Sequence, residues 1–354
     1  MPQPRVTVVG PHLAAAGGVS AVSAAWAAAG LFDEPERVRY WPSTRDGSRV
    51  GKLLYGGFRL ARFALGAVGA GELVHLHVGV GWSLRRKIAY ARLALRREAR
   101  IVLHVHPTAF WDHLRELPPS ALARTTEVLR AARAIVVLTR EMHERFVSLG
   151  LGLSVHVLPN PVDVKAWDLE PAPGRDVATV AFVGWFTPEK GAELLLDAAV
   201  RLRETHPSLR LVFAGTHGEQ ELRDGIRRRG LGDRVEVAGW LDRRAIRELL
   251  HRATLLALPS RSEGMPMALI EAMACGTPIV ASAVGGVPEI LQDGRDARLV
   301  RPGDVGALAE AIGGLLSDPR TRETLAGHAR ERVARHDVGV VLPRLRAIWE
   351  QAAS

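Results

Sequence analysis

Residues 254–282 read TLLALPSRSEGMPMALIEAMACGTPIVAS, and they contain a complete strand–loop–helix–strand unit. TLLALP and TPIVAS are apolar on both faces, the pattern of parallel strands covered by helices. Between them the polar SRSEG ends the first strand, Pro266 suits a first helical turn, and Gly276 suits the residue just past a helix C-terminus. Gly264 lets the backbone approach a ligand, and the amides of 264–268, less that of Pro266, are expected to form an anion site backed by the helix dipole. Glu263 and Glu271 beside such a site need another partner, and sugar hydroxyls are the natural one. A phosphate flanked by two polyols describes a nucleoside diphosphate sugar. The plainer alternative is that Glu263 caps the helix and Glu271 is solvated.

The same unit recurs along the chain. RVTVVG, ELVHLHV, RIVLHVH, AIVVLT and VHVLP alternate with helical stretches in the first half, and VATVAFVG, LRLVFAG, RVEVAG, TLLALPS and TPIVAS in the second. Such alternation predicts an α/β chain of two doubly wound, Rossmann-like parallel-sheet domains. At 354 residues two cores are expected, as 1–165 and 166–354, joined by a polar linker over 163–176. Helices alone are expected after Leu299, packing back toward the first domain. Ligands of such sheets bind beyond the carboxyl ends of the strands.

Composition narrows the classes. Hydrophobic residues make up 47% and charged residues 24%, a globular balance. The single cysteine, Cys275, excludes an internal disulfide and fits a reducing cytoplasm. The N-terminus is not expected to be a secretory signal, because Pro11, His12 and Gly17-Gly18 interrupt its apolar run. Forty-seven basic against 38 acidic residues attract polyanions, yet aromatic residues are only 5%, so nucleic acid has no stacking platform and is not an expected partner. A Gly-x-Gly-x-x-Gly turn after a strand is missing, which argues against a nicotinamide oxidoreductase. His75, His77 and His104 alternate within strands as expected packing residues. No histidine pair shows zinc spacing with a third ligand nearby, so no metal site is expected.

SEGMPMALIEAMACGTPIVASAVGGVPEIL resembles the signature of the family-4 retaining glycosyltransferases, with glutamates separated by seven residues. FVGWFTPEKGAELLLDAA, LPNPVDVKAW and RLVFAGTHGEQELRDGIRRRGLGDRVEVAGWL are similar to three further segments of that family. The resemblance implies the GT-B fold, two such domains facing across a cleft. It implies a metal-independent retaining transfer of a hexose to an acceptor hydroxyl. No cofactor is implied beyond the UDP- or GDP-sugar co-substrate. It assigns Glu271 to the ribose diol, Glu263 to the transferred sugar, the backbone of Gly264, Met265, Pro266 and Met267 to the diphosphate, and Lys190 to its charge. The donor set extends to Gly215, Trp240, Leu241 and Asp242, although Asp242 also suits a helix N-cap. Gly17-Gly18 is similar to the family's first glycine-rich loop, and His106 to its histidine near the sugar. One departure stands out: Trp185 occupies the place of an arginine that forks onto the diphosphate. Its loss costs about 1.5–3 kcal/mol of phosphate stabilisation, for which Arg261 or a basic residue of the first domain is a candidate substitute.

The first half most resembles transferases building exopolysaccharide on a lipid carrier. A transferase with a soluble small-molecule acceptor is the alternative, and a non-catalytic binding protein of this fold the alternative of another class. WSLRRKIAYARLALRREAR, 82–100, reads as a basic amphipathic helix that either meets an anionic membrane surface or packs on its own sheet.

Overall fold

The computed structural model describes residues 4–168 and 178–354; most of the expected linker lies outside them. The strands are β1 (Val6–Gly10), β2 (Val38–Pro42), β3 (Leu73–Val78), β4 (Arg100–Val105), β5 (Ala134–Val137), β6 (Val155–Val157), β7 (Thr179–Val183), β8 (Arg210–Ala214), β9 (Val235–Gly239), β10 (Leu255–Leu258), β11 (Ile279–Ser282) and β12 (Arg298–Val300). Among the described residues they form two six-stranded sheets, ordered β2-β1-β3-β4-β5-β6 and β12-β11-β10-β7-β8-β9. All pairings are parallel, so each sheet is a doubly wound α/β layer as expected.

Two strands escape the sequence reading. β2 and β12 are edge strands, and their residues are mostly half-buried, so neither shows the two-sided apolar run of a central strand.

The chain forms two units, Met1–Pro161 with Val338–Ser354 and Val162–Asp337. The last helix, Val338–Ala353, lies against β3 and β4 of the first unit. There Trp349, 2% exposed, donates from Nε1 to Nδ1 of His75 at 3.0 Å. The core of the second unit gathers Phe182, Phe186 and Phe213 with Leu195, Leu196, Leu308 and Ile312.

In each unit the strand order reverses once, between β1 and β3 and between β7 and β10. These are the switch points, and the loops after their strands are where a doubly wound sheet opens to a ligand.

Candidate functional site

In the second unit the two loops at the switch point are fastened together. After β7 the chain passes Gly184 and Trp185 into a 3-10 turn, Pro188–Lys190, and then the helix Ala192–Arg201. After β10 it runs through Ser260–Glu263 to the helix Met267–Ala274. The Arg261 amide donates to the Glu189 carbonyl at 2.7 Å. Gly191 sits between the loops at φ +74°, and a Cβ there would lie 2.1 Å from the Pro259 carbonyl oxygen. Gly191→Ala combines backbone strain with a backbone clash. It is expected to destabilise the second unit by about 2–4 kcal/mol, read as a lower urea midpoint.

This fastening sets the charges. Lys190 Nζ donates to both carboxylate oxygens of Glu263 at 2.8 Å, and Ser260 Oγ donates to Oε1 at 2.7 Å. Glu263 is 5% exposed and the Lys190 side chain 28%. Glu263 therefore does not cap the helix. Pro266 holds the N-cap position in extended conformation, φ −69° and ψ 123°, one residue before the helical turn expected for it, and no side chain caps the end. The amides of Met267 and Ala268 that open the helix have no intrahelical acceptor, while that of Leu269 meets the Pro266 carbonyl at 3.2 Å. At the other end Gly276, φ +61°, closes the helix. Its amide meets the Met273 carbonyl and the Thr277 amide the Ala272 carbonyl, both bonds of the Schellman pattern.

Glu271 lies within the helix, 6% exposed rather than solvated, and no hydrogen-bond donor reaches its carboxylate among the described residues. Burial pushes its carboxyl up to about 7, against a smaller opposing pull from Arg243. A buried carboxylate without a donor lacks a partner that a diol would supply.

The remaining donor candidates of this unit follow β7, β8 and β9. The Gly184 amide bonds the Ala214 carbonyl and the Gly215 amide the Gly239 carbonyl; a Cβ on Gly215 would lie 1.8 Å from the Gly184 carbonyl oxygen. Trp185 is 43% exposed and packs on His217, whose own φ is +65°. Trp240 is 53% exposed and Leu241 half-buried. Asp242 is an N-cap, accepting from the Ala245 amide at 2.8 Å. Arg261 is exposed. The sequence reading did not single out Ser260 or His217, nor the pairing of Lys190 with Glu263.

Gly17, Gly18 and His106 belong to the first unit. Gly17, φ +125°, precedes the helix Gly18–Ala28, which has no side-chain cap, and a Cβ on Gly18 would meet nothing within 4 Å. His106 follows β4, 9% exposed, and its Nε2 lies 2.8 Å from His77 Nδ1.

The histidines correct one expectation. Ligand atoms of His75, His77 and His104 lie within 4.8 Å of one another, so a third candidate ligand is close in space although not in sequence. Most of their nitrogens, however, are already engaged: His77 with Ser23 and His106, His75 with Trp349 and His104, and only His104 Nε2 has no partner. Trp349 donates to His75 Nδ1, which leaves His75 Nε2–H to donate to His104 Nδ1 at 3.2 Å. Metal binding would have to break that chain, so the set reads as packing.

The helix Trp82–Leu95, within 82–100, packs on its own sheet. Leu84, Ile88 and Ala91 are buried, and the helix lies on β3 and β4. Its apolar stripe is covered by its own sheet.

Residues 167–332 match the family model of the glycosyl transferases group 1. A glycogen synthase of Mycobacterium tuberculosis is 29% identical over 292 residues, covering 79% of this chain and 69% of the relative. An MMP alpha-(1->4)-mannosyltransferase of Mycolicibacterium hassiacum is 38% identical over 182 residues, half of this chain and 43% of the relative. Among solved structures, HepE of Anabaena in complex with UDP and glucose superposes with a TM-score of 0.77 at 20% identity, over 98% of this chain and 99% of that one, a likeness of fold. By the family match and these relatives, the chain is similar to the glycosyl transferases of group 1.

Proposed function

We propose that the chain transfers a hexose from a UDP- or GDP-sugar to an acceptor hydroxyl, with retention and without a metal ion or other cofactor, in the assembly of exopolysaccharide or another cell-surface glycan. The observation that carries this reading is the Lys190–Glu263–Ser260 cluster at the switch point, just ahead of a helix start that no side chain caps.

When the bond from the anomeric carbon to the phosphate oxygen breaks, negative charge gathers on the diphosphate. Lys190 and the amides of Gly264, Met265, Met267 and Ala268 are suited to hold it in the role a metal ion serves elsewhere. Glu263, fixed by two donors, keeps Lys190 in place and has its own oxygens within reach of sugar hydroxyls. The acceptor oxygen forms the new bond to carbon, and its proton passes to the departing phosphate oxygen. A neighbour of the same fold described with UDP and glucose supports the donor class.

The test is a thermal-shift panel of UDP-, GDP- and ADP-sugars, followed by NMR of the product's anomeric proton in the presence of chelator. Stabilisation by one base and an unchanged anomeric configuration support the proposal; no shift with any donor overturns it.

Glu271 gives a pH signature. Its carboxyl loses the proton only near pH 7, and a diol binds the charged form better. Donor affinity is therefore expected to rise several-fold between about pH 6 and pH 8. In Glu271→Gln that rise should vanish and affinity should stay about tenfold weaker at the upper end. Calorimetric titration reads both.

A further inference from the structure

The helix Arg49–Ala64 is turned the wrong way for a core helix. Its inner side is anchored by Phe63 alone among its large apolar residues, fully buried against Trp41 and Tyr90, and is otherwise lined by small, cationic and half-buried residues. A Cβ on Gly56 would sit 3.6 Å from the Ser43 carbonyl oxygen, Arg59 stacks 3.9 Å over the Trp41 ring, and Arg45 lies over Tyr55. Its outer side carries Val50, Leu53, Leu54 and Phe58, with Leu65 just past the end, 67%, 73%, 68%, 58% and 84% exposed. The spacings of three, four and eight residues from Val50 put them on one stripe. A single exposed leucine is ordinary, but five large apolar side chains in a row mark a surface that something covers.

The charges identify the occupant. No aspartate or glutamate lies in 49–65, while Arg62 edges the stripe and reaches back over Phe58; Lys52, two residues from Val50, falls on the inner side. The one acid nearby is Asp46, 3.7 Å from Lys52. A second copy of the same face would set Arg62 against its own copy across a two-fold axis. An anionic, oil-backed surface matches both the apolar stripe and its basic edge.

We propose that this helix docks the first unit onto an anionic lipid bilayer, with Val50, Leu53, Leu54, Phe58 and Leu65 among the acyl chains and Arg62 at the level of the lipid phosphates. The membrane contact thus belongs to 49–65 and not to 82–100. It deepens the proposal that a lipid-carried acceptor is served, yet it is a binding property that stands without donor or turnover.

The experiment is flotation of the whole chain with vesicles of phosphatidylcholine, alone or with about a third phosphatidylglycerol. Wild type should float with the anionic vesicles only, less so in high salt. Leu53→Asp with Phe58→Asp should weaken binding at least about tenfold. Arg62→Glu should weaken the preference for the anionic lipid, and Arg96→Glu, on the helix of 82–100, should change nothing. These positions are exposed, and circular dichroism checks that each variant folds. Wild type that floats with neither vesicle overturns the proposal. So does an apolar double variant that floats as well as wild type, or a wild-type dimer by light scattering that this variant dissolves. The thermal shift given by UDP-glucose, read on the same samples, reports separately on the transferase reading.

Discussion

Lys190→Met is expected to lower kcat/KM for sugar transfer by about a hundredfold or more, and Glu263→Gln by a similar factor. The two side chains act as one device: the carboxylate is nearly sealed from solvent, and both its oxygens are 2.8 Å from the ammonium. Removing Lys190 leaves the buried Glu263 carboxylate without its cation, which costs about 3–5 kcal/mol of stability as well as activity, whereas Glu263→Gln strands a partly exposed ammonium and costs less. A loss of turnover through unfolding must therefore be separated from a loss of chemistry. The double variant Lys190→Met/Glu263→Gln removes both charges and keeps shape, so its Tm should recover most of the single-variant loss. Its turnover should not recover. Turnover within about threefold of wild type in both single variants would remove Lys190 and Glu263 from the chemistry.

What could be read from the sequence was whatever the local chain decides. The helix Met267–Ala274 ends at Gly276 because only a residue at ease with positive φ closes both Schellman bonds, and that glycine is visible in the sequence. Central strands show themselves by being apolar on both faces, while β2 and β12, half-wet at the edges, do not. The pairing of Lys190 with Glu263 was hidden for another reason. The residues are 73 positions apart, and only the adjacency of β7 and β10 joins their loops. The histidines were half visible. HLH at 75–77 and HVH at 104–106 each alternate with strand period, but the register that sets His77 opposite His104 comes from the pairing of β3 with β4. In the helix Arg49–Ala64 the apolar period marks a face but not its direction. Gly56 on the opposite side, where a Cβ would lie 3.6 Å from the Ser43 carbonyl oxygen, was the available clue.

Those histidines carry the second large effect: the first unit is expected to lose most of its stability between about pH 7 and pH 5.5. His75, His77 and His104 are buried on one sheet face beside Trp26, and His104 stacks on His106 with ring centroids 4.2 Å apart. Burial lowers all four; His75 and His106 are brought to about 3, and His77 and His104 are held well below the usual histidine range. Besides one another, the groups facing them are Lys87, itself buried and bonded to Ser43 Oγ, Ser23 and Trp349. None is an anion that would welcome a proton. Each ring therefore stays neutral when folded and gains a proton near pH 6.5 when unfolded, so stability is full above that pH and falls as pH drops below it. At pH 5.5 the loss is about 1.4 kcal/mol per ring, about 5–6 kcal/mol for four, against a typical total of about 5–15 kcal/mol. Lys87, also lowered by burial, pushes in the same direction. His104 is the ring to replace, because its Nε2 is buried with no partner and its Nδ1 only accepts from His75. His104→Gln keeps an acceptor for that bond and should reduce the proton uptake on unfolding by about one at pH 5.5. Urea melts followed by tryptophan fluorescence measure the slope, and an unfolding free energy that stays level from pH 7 to 5.5 would show that the buried rings are not what makes this unit sensitive to acid.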